Sequence, residues 1–181
     1  FGLEWVCLYG FNNTYGLAVR KEFAEEHGIR SFTDLLPLAP DLAFGAEYDF
    51  FEREDGFTAL SGRYGFSFNK RVDLDIGLKY QALRNGQVDV INVFTTDGQL
   101  ASPEVMLLED DRRFYRTYYC GTVARRDTLE RHPGLRQVLM RMADAISGED
   151  MARMNNAVEN QGRGEQDVAR EFLIVRKILA E

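Results

Sequence analysis

The apolar positions of this chain fall into short runs whose spacing alternates between a helical and a strand-like period. Across residues 14–27, Leu17, Ala18, Phe23 and Ala24 recur near the 3.6-residue spacing of a helix. Asn12, Asn13 or Thr14 can cap that segment and Gly28 can stop it, so a helix is predicted over 14–27. Ser31 followed by Asp34 suits a short, reciprocally capped helix ended near Pro37 and Pro40. Residues 42–45 predict a short buried strand, and residues 57–64 a helix after Asp55 and Gly56. Residues 76–85 are amphipathic and close at Gly86. They lead into a compact apolar strand over 88–94 that carries Asp89 and Asn92.

The second half repeats the theme in other proportions. Residues 105–108 and 118–123 predict strands, and a helical tract opened by 127–131 is interrupted by Pro133. Leu135, Val138, Leu139, Met142 and Ile146 share one face of the next helix. Ser147 can cap its successor, where Met151, Met154 and Val158 recur as core positions, and Gly162 and Gly164 separate that helix from 168–179. Strand and helix alternation predicts an α/β layered architecture with parallel pairings, and no internal repeat interrupts it.

Composition narrows the classes. A chain of 181 residues, 45% hydrophobic and 28% charged, suits one globular domain or two small lobes. No apolar run is long enough to cross a membrane as a helix. Phe1 opens no basic, apolar or cleavage-site pattern, so any targeting segment is expected outside this sequence. A formal charge of −7 argues against nucleic-acid binding, which needs clustered Lys and Arg. Here Arg112 and Arg113 follow Asp110 and Asp111, and Arg125 and Arg126 precede Asp127.

Catalytic candidates are few. Cys7 and Cys120 lie far apart with no C-x-x-C pattern, and His27 and His132 sit at predicted helix ends, so neither a metal site nor a nucleophilic triad is predicted. Glu47, Asp49, Glu52 and Asp55 form a solvated run without the contrasting environments an acid–base pair needs. No glycine-rich phosphate loop occurs.

Four stretches carry a common signal: GFNNTYGL at 10–17, FFEREDGF at 50–57, VDVINVFTTDG at 88–98 and LEDDRRFYRTYYC at 108–120. In that order, from about Trp5 to the C-terminus, they resemble the substrate-binding component of the osmoprotectant ABC importers, which capture glycine betaine, choline, carnitine and similar quaternary ammonium solutes. The resemblance implies a type II periplasmic-binding α/β fold, with one complete lobe over 11–94 and the C-terminal contribution to a second lobe over 95–181. Family members carry a further N-terminal segment that helps to build the second lobe. The resemblance therefore implies that this part is lacking here, and self-association through the surface it would cover is expected.

A quaternary ammonium group has no N–H to donate, so a protein must surround it with electron-rich ring faces. By resemblance, Tyr15 enters such a cage with Asn13 beside it, Phe94 stands where relatives commonly have tyrosine, and Tyr118 supplies a third wall. Tyr115 or Tyr119 would replace Tyr118 if the register slips. Phe94 keeps a π face and loses a hydroxyl, and Arg116 and Thr117 replace the prolines usual in relatives, which leaves the particular ligand open. Thr95, with Thr96 and Asp97, would lie at an interlobe crossing, Gly98 easing its movement. Arg53 would clamp a ligand carboxylate, its fork donating two parallel hydrogen bonds. Read without the resemblance, these tyrosines are core or surface residues and Arg53 is a surface ion pair with Glu52, Glu54 or Asp55.

The function so implied is noncatalytic capture, with the ligand stabilising a closed state read by ABC permease subunits at the outer face of the cell membrane. No cofactor, metal or nucleic-acid partner is implied. Other readings are a ligand-sensing regulatory domain of the same fold, which an upstream helix-turn-helix would distinguish, and a fragment without binding activity.

Overall fold

The structure is a computed structural model and describes residues 2–180. In chain order the elements are β1 (Leu3–Asn12), β2 (Tyr15–Arg20), α1 (Lys21–His27), α2 (Phe32–Leu35), β3 (Ala43–Ala46), α3 (Tyr48–Glu52), α4 (Phe57–Tyr64) and β4 (Lys70–Asp73). They continue as α5 (Lys79–Arg84), β5 (Val90–Phe94), β6 (Val105–Leu107), β7 (Tyr119–Arg125), α6 (Arg126–Arg131), α7 (Leu135–Met140), α8 (Gly148–Glu159) and α9 (Glu165–Val175). The chain divides into two compact units. The central unit is Tyr15–Phe94 with Ser102–Arg116. The terminal unit takes the chain up to Thr14, Thr95–Ala101, and everything from Thr117 onward.

The central unit is built on a five-stranded sheet in the order β4-β3-β5-β2-β6. β3 runs parallel to β4 and β5, whereas β2 runs antiparallel to β5 and β6, so the pairing is mixed and not uniformly parallel as the alternation suggested. The helix predicted over 14–27 is also corrected. Residues 15–20 are the strand β2, and only Lys21–His27 is helical. Leu17, Ala18 and Val19 are consecutive and fully buried, the mark of a central strand covered on both faces. Their spacing relative to Phe23 and Ala24 happened to match a helical face, but three adjacent apolar residues cannot share one stripe.

Other local signals act as their chemistry dictates. Ser31 and Asp34 make a reciprocal capping box at α2. His27 ends α1, its Nδ1 3.0 Å from the Phe23 carbonyl oxygen, and His132 follows α6. Phe32, Phe44, Phe50, Leu17, Leu35 and Leu60 are fully buried in the core of this unit. Across one edge of that core, Arg20 donates to the Leu83 and Val88 carbonyls at 2.9 Å each and to Asp89 at 3.0 Å. Asp89 in turn accepts from the Ala43 amide, tying β2, β3 and α5 together.

The terminal unit pairs β1 with β7 in a two-stranded antiparallel sheet, with register shifts between Trp5 and Cys7 and between Leu8 and Asn12. The periodicity reading passed over β1. Val6, Cys7 and Phe11 are buried, and the Cys7 thiol donates to the Leu139 carbonyl at 3.4 Å. Both cysteines are free thiols. Ser147 and Asp150 form the capping box of α8, which the sequence anticipated from Ser147. Asp150 is also gripped by the Arg153 and Arg176 guanidiniums. Burial by itself raises the pKa of this carboxyl. The Ser147 amide and hydroxyl and the two arginines outweigh that and hold it at about 2. Among the described residues no helix is long and apolar enough to cross a membrane.

Candidate functional site

Three of the residues singled out by resemblance meet in the central unit. Tyr15 opens β2 and Phe94 closes β5, and the antiparallel register sets them directly opposite one another. Their rings stack with centroids 4.8 Å apart and 26° between planes. Phe50, on α3, meets the Tyr15 ring edge-on at 5.2 Å, and Tyr115 approaches it at 5.9 Å. The Arg53 guanidinium carbon lies 5.6 Å from the Tyr15 centroid, inside the range in which a ring face attracts a cation. Tyr15 is thus a half-buried ring with aromatic neighbours and a cation at hand.

The local sequence explains how Arg53 arrives there. α3 ends at Glu52, and Arg53 leaves it in extended conformation. The chain then folds back so tightly that a Cβ on Gly56 would lie 2.0 Å from the Phe50 carbonyl oxygen, so only glycine fits. Within this turn Arg53 forks onto Asp55, with Nε and Nη2 at 2.8 and 3.0 Å from its two oxygens. The surface pairing that spacing suggested is therefore present, and it has the bidentate geometry by which a guanidinium holds a carboxylate. Both side chains are nearly half exposed, so the pair is weak and exchangeable.

Tyr115 is set in place by the segment LEDDRRFY. The Leu108 amide donates to Leu17, and Glu109 bridges alongside Ser31. Asp110 then accepts from the Tyr64 hydroxyl at 2.5 Å and from the Phe114 and Tyr115 amides at 3.0 and 2.9 Å. Burial and the Asp110 carboxylate push the Tyr64 phenol well above its ordinary pKa. Burial does the same to Tyr115, whose hydroxyl has no hydrogen-bond partner among the described residues.

The other three candidates lie together in the terminal unit. The Asn13 amide donates to the Tyr118 carbonyl at 3.1 Å, and the Tyr118 amide donates to the Asn12 side chain at 2.5 Å. Thr95 donates from its hydroxyl to the Asn12 carbonyl at 2.9 Å, and Thr96 to the Asn13 side-chain oxygen at 2.7 Å. Tyr118 itself is exposed. Gly98 packs closely against α8. It is buried, and a Cβ there would come within 2.6 Å of the Asn156 amide and 2.7 Å of Glu159. Among the described residues no group of three or more His, Cys, Asp and Glu side chains is arranged to hold a metal ion.

Sequence reasoning missed Phe50 as a neighbour of Tyr15, although it lies inside a quoted motif. It also missed a polar cluster beneath α3. Lys79, only 1% exposed, donates to Glu47 at 2.8 Å and to Asn92 at 3.3 Å, and Asn92 donates back to Glu47 at 2.9 Å. The available signals were a lysine within the apolar run LKYQAL and an asparagine inside the strand VINVF.

Residues 1–174 match the family described as the substrate binding domain of ABC-type glycine betaine transport systems, and the chain belongs to that family. It is 38% identical over 173 residues to the ergothioneine transport permease/ergothioneine binding protein EgtU of Helicobacter pylori, covering 96% of this chain and 31% of that protein. It is 33% identical to the carnitine transport binding protein OpuCC of Listeria monocytogenes, covering 96% of this chain and 56% of the relative. The chain thus spans 31% of the one relative and 56% of the other.

Solved structures agree. A crystal structure of a glycine betaine/carnitine/choline ABC transporter superposes with a TM-score of 0.91 at 32% identity, covering 98% of this chain and 65% of the other. Apo YehZ from Escherichia coli shares the fold with a TM-score of 0.77 at 24% identity. The fold is the mixed α/β fold of periplasmic binding proteins, covered in part. The family consists of noncatalytic substrate-binding components.

Proposed function

We propose that the protein is the solute-binding component of an ABC importer and holds a quaternary ammonium osmoprotectant, such as glycine betaine, carnitine or choline, in an aromatic cage. Tyr15 and Phe94 are cage walls, Tyr118 is a further wall, and Asn13 and Thr95 are polar contacts. Arg53 takes the ligand carboxylate, exchanging its exposed Asp55 partner for it. The observation that carries this reading is the Tyr15 ring, stacked on Phe94 with a guanidinium inside cation–π range. The residue range 11–94, joined by Ser102–Arg116, acts as one lobe, and the rest of 95–181 as part of another. Permease subunits read the liganded state at the extracytoplasmic face, and ATP is hydrolysed elsewhere.

The relative from Helicobacter pylori is named for ergothioneine, a betaine with an added ring, and the stacked, hydroxyl-free Phe94 suits a ligand with more apolar surface. Ergothioneine therefore belongs beside glycine betaine, carnitine and choline in a calorimetric titration of the chain. Tyr15→Ala is expected to weaken every bound probe by roughly 3- to 30-fold, the share of one desolvated ring. Arg53→Ala should weaken the carboxylated probes about tenfold and leave choline unchanged. No binding of any probe by the folded chain would overturn the reading in favour of a fragment without binding activity.

A further inference from the structure

We infer that the buried Lys79–Glu47–Asn92 cluster is a positioning device that sets where α3 presents Phe50 and Arg53 to Tyr15, so that Lys79 and Glu47 govern ligand affinity without touching ligand. The inference rests on the site reading above. Glu47 is the residue from which α3 starts, and its carbonyl accepts from the Phe50 amide at 3.0 Å. Its two carboxylate oxygens are taken separately, one by Lys79 from α5 and the other by Asn92 from the middle of β5. Lys79 also reaches Asn92, so the three side chains close a ring of hydrogen bonds. That ring fixes the start of α3 to two different elements of the central unit.

The far end of the same segment is fixed too. The Gly56 backbone is pressed against the Phe50 carbonyl, and its amide donates to the Arg53 carbonyl at 3.1 Å. Between these two anchors lie Phe50, edge-on to Tyr15, and Arg53, near its face. A segment anchored only at Gly56 could still pivot about that point. A small pivot moves a guanidinium out of range of both ring and carboxylate, because a two-pronged hydrogen bond tolerates little displacement. Bulk stability does not require an ion pair here, since apolar replacements of buried pairs are often neutral or stabilising. What the charges supply is direction: Lys79 can satisfy its ammonium in one arrangement of α3.

The test uses the double variant Glu47→Gln with Lys79→Met, which removes both charges together, and the single variant Lys79→Met, which strands the carboxylate. Four readouts are compared: melting temperature, amide hydrogen exchange over residues 48–56, the shift of the Arg53 Nε–H proton caused by the Tyr15 ring, and ligand affinity. The double variant is expected to melt close to the wild type. Its 48–56 amides should exchange at least tenfold faster, the Arg53 proton should lose its ring-current shift, and affinity for glycine betaine, carnitine or ergothioneine should fall about tenfold or more.

A double variant that melts like the wild type and keeps its exchange, shift and affinity would show the cluster to be merely structural and overturn the inference. If it unfolds, the same double variant held folded by sucrose, which is no quaternary ammonium ligand, gives the same exchange and shift comparison. If the wild type binds no probe, the ligand reading falls, whereas the exchange and the Arg53 shift still decide whether the cluster positions α3.

Discussion

In the central unit Phe32, Phe44 and Phe50 have no exposed surface, whereas in the terminal unit Trp5 keeps 61% of its surface exposed on a sheet of two strands. Leu3, Leu8 and Val123 accompany it, each more than 40% exposed. Five strands give the central unit two faces to cover, and helices and loops cover them, so even a lysine can be enclosed there with its partners. Two strands give the terminal unit one face packed on helices and another left open, the configuration in which a sheet is least able to stand alone. The lesson is that apolar content does not decide burial. The two units draw on the same residue types, and the number of layers decides how many of them leave water.

That contrast can be broken or sharpened by substitution. Phe44→Ala should have the largest effect, destabilising the central unit by about 3–5 kcal/mol in urea unfolding, because its ring packs on four other phenylalanines and nothing can collapse into the gap. Asp150→Asn follows. The folded-state pKa of about 2 lies below the ordinary value of 3.8, so the carboxylate contributes stability that is present at neutral pH and is lost as pH falls from about 4 to about 2. The substitution should lower stability by about 2 kcal/mol at pH 7 and flatten the acid limb of the stability curve of the terminal unit. An unchanged limb would show that the arginines hold no charge there.

The smallest stability effect is expected at Trp5. Trp5→Lys should change the unfolding free energy by no more than about 0.5 kcal/mol, since the side chain is mostly in water already. The same variant should reduce the concentration-dependent mass seen by light scattering if the open sheet face mediates self-association. Equal masses for wild type and variant at every concentration would free that face of the role.

Much of this molecule is legible locally because its signals are local. The Ser31–Asp34 and Ser147–Asp150 boxes need only a hydroxyl, a carboxylate and three residues between them. Tyr15, Arg53 and Phe94 could be picked out because they lie in short motifs, and the structure gathers them in one unit. Asn13, Thr95 and Tyr118 are likewise gathered by hydrogen bonds in the other. β2 was misread because a doubly buried strand and a buried helix face look alike over six residues, and only the partners β5 and β6 separate them. Phe50 was passed over as a site residue because its contact with Tyr15 is made across 35 positions of chain.

The sequence by itself determined the caps, the helix stops, the family motifs and the acidic balance, all properties of neighbouring residues or of sums over them. Tertiary structure alone decided the mixed sheet order, the enclosure of Lys79 with Glu47 and Asn92, and the opposition of Tyr15 to Phe94. Each of these depends on strands and helices remote in sequence meeting in a particular register, and pairing energy spread across a whole ladder leaves no mark at any single position.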